Sequence, residues 1–241
     1  MPPVKPYTFV SQIYEHLMRQ INYKDWADYI WDIQDLYNLN PVNVLELAGG
    51  TCYIANNLFN NVENYIVSDN SIDMLIVDKN KFIDKVCCDM AALPFKCKFD
   101  FIFSTFDSVN YLLNEESLIK LFNEVSQVIS DNGIFTFDVS LEKNSYKNLK
   151  RLNRKGKFND IRYIQKSRFD ADTKIHVNEF KIFLDDKEII EIHTQKIYPF
   201  EKFFELVEHC GLFVIDCFES FTFDDAGFDS ERVQFVVKKE V

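Results

Sequence analysis

Apolar residues recur at helical spacing from the start of the chain to Tyr37. Val10, Ile13, Tyr14, Leu17, Met18 and Ile21 predict one helix, and Trp26, Tyr29, Ile30, Ile33 and Tyr37 predict a second. Asn38, Leu39, Asn40 and Pro41 break the pattern. Short apolar runs then alternate with helical stretches. Residues 42–47, 65–68, 85–88, 99–105 and 134–139 read as strands, and 99–105 is nearly all apolar, as expected of a strand buried on both faces. Helices are expected from the turn after the first strand to about Phe59, over 72–79, and over 115–130. The last of these carries Leu118, Leu121, Phe122, Val125 and Ile129 on one face, with Asn114 as N-cap and Gly133 as stop.

The period changes after Ser140. Residues 161–169, 175–184 and 188–198 read as extended strands, with turns at Asp170 to Asp172 and at Asp185 and Asp186. A helix over 201–209 ends at Gly211, and 213–218 with 232–238 predicts a closing antiparallel pair at one sheet edge. Strand–helix alternation implies right-handed crossovers and a mostly parallel sheet. The expected fold class is α/β: a Rossmann-like, doubly wound, seven-stranded sheet with an inserted antiparallel β-meander. Residues 1–140 and 199–241 would form the Rossmann-like domain with its N-terminal helices, and 141–198 the β lid.

Composition narrows the function. In 241 residues, 47% are hydrophobic and 24 are Phe, so core material is ample, and the net charge of -11 argues against nucleic acid as a partner. The stretch 143–157 runs the other way, with Lys143, Lys147, Lys150, Arg151, Arg154, Lys155 and Lys157 and no acid. It reads either as a solvated connector or as a patch that attracts an anionic substrate. The six cysteines form no CxxC pair and no metal-ligand spacing, so no metal is expected; no run is long enough to span a bilayer. A reducing, cytoplasmic setting follows.

Ligands of open α/β sheets bind at the carboxyl ends of the strands. The first strand ends in Glu46, Leu47, Ala48, Gly49, Gly50, Thr51 and Cys52, where a glycine turn lets backbone approach a ligand. The second ends in Asp69, a carboxylate placed to accept ribose hydroxyls, followed by Met74. The third ends in Asp89 and Met90, and the fourth runs out through Phe106, Asp107, Ser108, Val109, Asn110 and Tyr111.

These four blocks, in order, resemble class I S-adenosylmethionine-dependent methyltransferases over nearly the whole chain. The N-terminal Ile13–Tyr14 helix, Tyr23 with Trp26, and the β-meander make it similar to the bacterial small-molecule branch that includes nucleotide-sugar amine N-methyltransferases. The resemblance implies S-adenosylmethionine as cofactor. Glu46, Ala48, Gly49 and Gly50 would lie against its methionine part. Asp69 would hold the ribose with Met74 near the adenine. Asp89 would accept the adenine amino group, Met90 would cover the ring, and Phe106 would sit beneath the cofactor at the substrate mouth. The family's Gly-x-Gly-x-Gly turn is altered here, with Cys52 in the last glycine position. If that residue needs a positive φ, it costs about 1 kcal/mol, and the thiol is expected to point into the following helix.

Methyl transfer chiefly needs alignment, which supplies roughly 7–11 kcal/mol of the barrier. Tyr14 is the expected group to orient the acceptor, with His193 on the meander a weaker candidate. The absence of an Asn/Asp-Pro-Pro-Tyr run after the fourth strand, with the acidic charge, favours a small-molecule acceptor, N- or O-methylated. The meander would be its lid or a homodimer surface. Two rivals remain at this point. A nicotinamide-dependent dehydrogenase would want glycines this turn lacks, and a non-catalytic S-adenosylmethionine- or partner-binding protein is suggested by the altered turn.

Overall fold

A computed structural model describes residues 4–184 and 187–239. The expected turn at Asp185 and Asp186 lies outside the described residues. In chain order the elements are α1 (Tyr14–Leu17), α2 (Tyr23–Leu36), β1 (Asn43–Leu47), α3 (Ala55–Leu58), β2 (Asn64–Asp69), α4 (Ile72–Leu75), β3 (Asp84–Cys87), β4 (Phe99–Ser104), α5 (Glu115–Val128) and β5 (Ile129–Ser140). They continue with α6 (Glu142–Arg151), β6 (Arg154–Phe158), β7 (Ile161–Asp170), β8 (Ile175–Leu184), β9 (Lys187–Lys196), α7 (Phe200–His209), β10 (Leu212–Glu219) and β11 (Arg232–Lys239).

The seven-stranded sheet runs β10-β11-β5-β4-β1-β2-β3. Strands β1 to β5 pair in parallel, and β11 lies antiparallel between β5 and β10. The strand order reverses between β1 and β4, which opens a crevice at their carboxyl ends. Period-two alternation sorts the strands' side chains into two cores. Leu45, Ile102, Phe135, Phe137 and Phe235 pack under α5 and α7; Val44, Phe101, Phe103, Ile134 and Val236 pack under α2 and α3. This is the doubly wound α/β fold that the alternation predicts.

The meander differs from expectation. It has four strands, in the order β6-β7-β8-β9, and the basic stretch read as a connector is largely α6 followed by β6. Gly133 stops no helix: α5 ends at Val128, and Gly133 lies within β5, where an added Cβ would come within 3.0 Å of the Asp100 and Phe99 carbonyls. The glycine is there for close backbone approach. The helix expected to about Phe59 ends at Leu58 and runs on as a 3-10 turn over Phe59–Asn61, whereas the one expected to about Lys79 stops at Leu75. The first expected helix is split into a 3-10 turn, Val10–Ile13, and α1. Val10, Ile13 and Leu17 bury against Ile161, Tyr163, Phe180 and Ile182, so a third, small core binds the N-terminal segment to the lid sheet.

Candidate active site at the strand ends and under the lid

The turn after β1 is held in sparsely populated backbone. Ala48, Gly50 and Cys52 take φ of 53°, 56° and 61°. Asp69, at the end of the neighbouring β2, fixes this shape: its Oδ2 accepts the Gly50 N–H at 2.8 Å and its Oδ1 the Ser71 N–H at 2.7 Å. The carboxylate keeps further lone pairs for ligand hydroxyls. Burial raises the Asp69 pKa against these two hydrogen bonds. Glu46 lies directly below the turn, 1% exposed, and Tyr65 donates to its Oε2 at 2.7 Å. Burial pushes Glu46 up to about 8. Its Oε1 has no hydrogen-bond partner among the described residues. Met74 is buried, with its Cε about 3.2 Å from where a Gly50 Cβ would stand, and Ser71 caps the short helix that carries it. From α1, Glu15 accepts the Thr51 hydroxyl at 2.5 Å and so docks the N-terminal segment onto the turn.

Cys52 is fully buried among Ile54, Ala55 and Leu58 of the following helical segment, the direction expected for its thiol. Its pKa is pushed up to about 12 by burial, which keeps it an unreactive thiol. At the end of β3, Asp89 is exposed with Oδ1 accepting the Ala91 N–H at 2.9 Å, and Met90 packs on the core under α5. The four strand ends are adjacent in the sheet, so Glu46, Ala48–Gly50, Asp69, Met74, Asp89 and Met90 share one side of the crevice. This donor set of carboxylates and open backbone beside apolar methionines fits S-adenosylmethionine, which presents an ammonium, ribose hydroxyls and a flat purine.

Beyond β4 the backbone again turns left-handed, with φ of 60° at Phe106 and 49° at Asp107. Phe106 packs on Trp26, ring centroids 4.4 Å apart, and borders a cavity of about 1090 Å³. Tyr14 lines the same cavity; the glycine turn, Asp69, Met74, Asp89 and Met90 lie outside its lining. Asp107 is tied down twice, by Arg232 Nη2 at 2.9 Å and by Gln195 Nε2 at 2.9 Å. Arg232 also pairs with Asp138 on β5, whose pKa burial raises against the pull of the guanidinium.

The four-stranded sheet contributes a chain of hydrogen bonds. His193 Nε2 lies 2.8 Å from Glu191 Oε1, His193 Nδ1 lies 3.3 Å from the Tyr111 hydroxyl, and Tyr111 and Tyr7 hydroxyls are 2.7 Å apart. Glu191 is fully buried and also accepts the N–H groups of Tyr7, Phe9 and Val10. Sequence reading named His193 but missed Tyr7, Glu191, Gln195 and Arg232. One signal was available: Glu191, His193 and Gln195 alternate with Ile190 and Ile192, which puts three polar side chains on one face of β9.

Residues 44–133 match the family described as "Methyltransferase domain". With that domain, this fold and the strand-end site, the chain is a class I S-adenosylmethionine-dependent methyltransferase, and S-adenosylmethionine is its cofactor. It is 27% identical to an S-adenosylmethionine-dependent methyltransferase from Clostridium acetobutylicum ATCC 824, covering 98% of this chain and 99% of that one at a TM-score of 0.80. YqeM of Bacillus subtilis (strain 168), a methyltransferase by name, is 25% identical over 97% of both chains. The sugar N-methyltransferase KedS8 from Streptoalloteichus sp ATCC 53650 shares the fold at 12% identity, with 95% and 93% of the chains covered and a TM-score of 0.73.

Proposed function

We propose that the chain methylates a nitrogen or oxygen of a small-molecule acceptor held under the lid. The observation that carries this is the cavity of about 1090 Å³ between the N-terminal helices, the strand ends and the meander, a size suited to a small ligand. The sugar N-methyltransferase KedS8, alike in fold, supports an acceptor of that class. The cofactor supplies a methyl group already activated on a sulfonium. In this reading Glu46, Ala48, Gly49 and Gly50 bind its methionine part, Asp69 the ribose, Met74, Asp89 and Met90 the adenine, and Phe106 closes the site beneath it.

The remaining work is alignment and removal of a proton. Tyr14 lines the cavity with a hydroxyl that makes no hydrogen bond among the described residues, so it is free to orient the acceptor. Burial raises its pKa, followed by the charge of its neighbours, so it acts as a neutral hydroxyl. Glu191 holds the proton of His193 on Nε2 and leaves the Nδ1 lone pair facing Tyr111. A proton given up by the acceptor can pass to the Tyr7 and Tyr111 hydroxyls and on to Nδ1. Arg232 and Gln195 hold Asp107 still beside Phe106. Tyr14→Phe is expected to lower kcat about tenfold or more while the affinity for S-adenosylhomocysteine stays within about twofold. Unchanged kinetics would remove Tyr14 from the mechanism.

Calorimetric titration with S-adenosylmethionine and S-adenosylhomocysteine, with NADH as control, tests the cofactor side. Micromolar binding is expected, and Asp69→Ala should weaken it about a hundredfold, near 3 kcal/mol. A screen of amine and hydroxyl acceptors read by cofactor product then tests the acceptor class. We further expect cytoplasmic catalysis, which six unpaired thiols suit, and a homodimer through the lid, to be counted by light scattering.

A further inference from the structure

The basic stretch 143–157 is not uniform once folded. Lys143, Lys147, Lys150, Arg151, Lys155 and Lys157 are exposed, and Lys150 with Arg151 stands in the last turn of α6, where cations offset the helix dipole. Arg154 is different. It is half-buried and lines the cavity under the lid. Its Nε donates to Gln165 Oε1 at 2.7 Å and its Nη1 to the Leu17 carbonyl at 3.2 Å. Both partners are neutral. Among the described residues no carboxylate lies within salt-bridge distance of Arg154, Arg151 or Arg19. Arg151 and Lys147 line the same cavity, and of the two only Lys147 has a partner, Glu231.

Two neighbouring guanidinium groups on one wall with no carboxylate at ion-pair distance repel each other in the free protein, and the half-buried one has lost part of its hydration. Burial holds the Arg154 pKa below the ordinary arginine value; Tyr163 opposes this, and the like charges of Arg19 and Arg151 add to it. The two hydrogen bonds fix the guanidinium and leave further N–H groups of its fork unspent. On the lid, Gln165 Nε2 donates to Asn178 Oδ1 at 3.3 Å, so the Asn178 amide N–H groups, also at the cavity wall, remain open. The acids that line the cavity come from elsewhere: Asp25, Asp28 and Asp32 on α2, Glu219 at the end of β10, Glu231 just before β11, and Asp107.

We infer that this part of the cavity is an oxyanion subsite, and that the methyl acceptor carries a phosphoryl or carboxylate group bound by Arg154 and Arg151 with help from the Asn178 amide. The inference rests on reading the cavity as the acceptor site. It gives the acceptor two ends, an anionic one at the α6–β6 junction and the methylated one near Phe106 and Tyr14.

The test is calorimetry on the full chain at low salt, saturated with S-adenosylhomocysteine, using inorganic pyrophosphate and malonate as probes. Pyrophosphate is expected to bind with a Kd below about 1 mM, and the double variant Arg151→Gln/Arg154→Gln to lose at least about tenfold. Arg154→Lys, which keeps the charge but not the fork, should fall in between. Lys143→Gln, exposed and outside the cavity lining, should bind as the native chain does. Malonate binding better than pyrophosphate would identify the group as a carboxylate. Failure of both probes, or equal affinity in the native chain and the double variant, would overturn the subsite. S-adenosylhomocysteine binding by the variants reports whether they are folded. If the native chain binds pyrophosphate but not S-adenosylhomocysteine, the cofactor assignment fails while the anion site stands.

Discussion

Glu46 carries its proton far above the usual carboxyl range because it is enclosed beneath the glycine turn, although the Tyr65 hydrogen bond works the other way. The unfolded chain gives up this proton near pH 4.5, whereas the folded one holds it to about 8. Between those values the folded state binds more protons, so stability falls as pH rises across the window, by on the order of a few kcal/mol. A ligand ammonium beside Oε1 would favour the carboxylate. Binding of S-adenosylhomocysteine near pH 7 is therefore expected to release up to about one proton, measurable as different binding heats in two buffers of unlike ionisation enthalpy. Glu46→Gln should abolish the release, and a native chain that releases none would place Glu46 away from the ligand. Cys52 makes a second case at this scale. Its φ of 61° costs about 1 kcal/mol, yet the buried thiol fills the core beside Ala55 and Leu58. The two effects oppose, so Cys52→Gly should change the S-adenosylhomocysteine Kd by less than about tenfold. A hundredfold gain would show the native residue to be a defect in the turn.

The strands and their end residues were legible in the sequence because a two-faced parallel strand writes itself as an apolar run, with the crevice residues just beyond it. Asp69 illustrates this: its place after the second run put it at the end of β2, where the structure has it and where it also accepts the Gly50 N–H. The α6–β6 unit was not legible, since alternating Lys, Asn and Arg carry little apolar period, and its inward-facing members are set by the lid they meet. Contacts between distant elements were equally hidden. Glu191 on β9 accepts three N–H groups from the segment before α1, more than 180 positions away, and no local pattern encodes that. The lid and the N-terminal segment consequently act as one element. Glu191→Ala should cost about 2–4 kcal/mol, because it leaves those amides without an acceptor. Hydrogen exchange at Tyr7, Phe9 and Val10 should accelerate while the amides of β1 and β4 keep their protection. Glu191→Gln, which retains one acceptor, should fall between. Uniform acceleration across the chain would mean that the tether is part of the global fold and not a local clasp.

At the scale of the molecule, both parts of the site are closed by residues far apart in the chain. Arg232 bridges Asp107 and Asp138 from β11, 125 and 94 positions after them. That strand does not extend the sheet at its margin but slides into the gap between β5 and β10. During synthesis on the ribosome, β5 therefore emerges long before its partner, with an unpaired edge and two acids still lacking their cation. The nascent chain passes through a stage in which β1 to β5 have emerged and Arg232, which holds Asp107 and Asp138, has not. The arrival of this inserted strand covers that edge, so the chain is most exposed to misassembly and proteolysis just before it is in place.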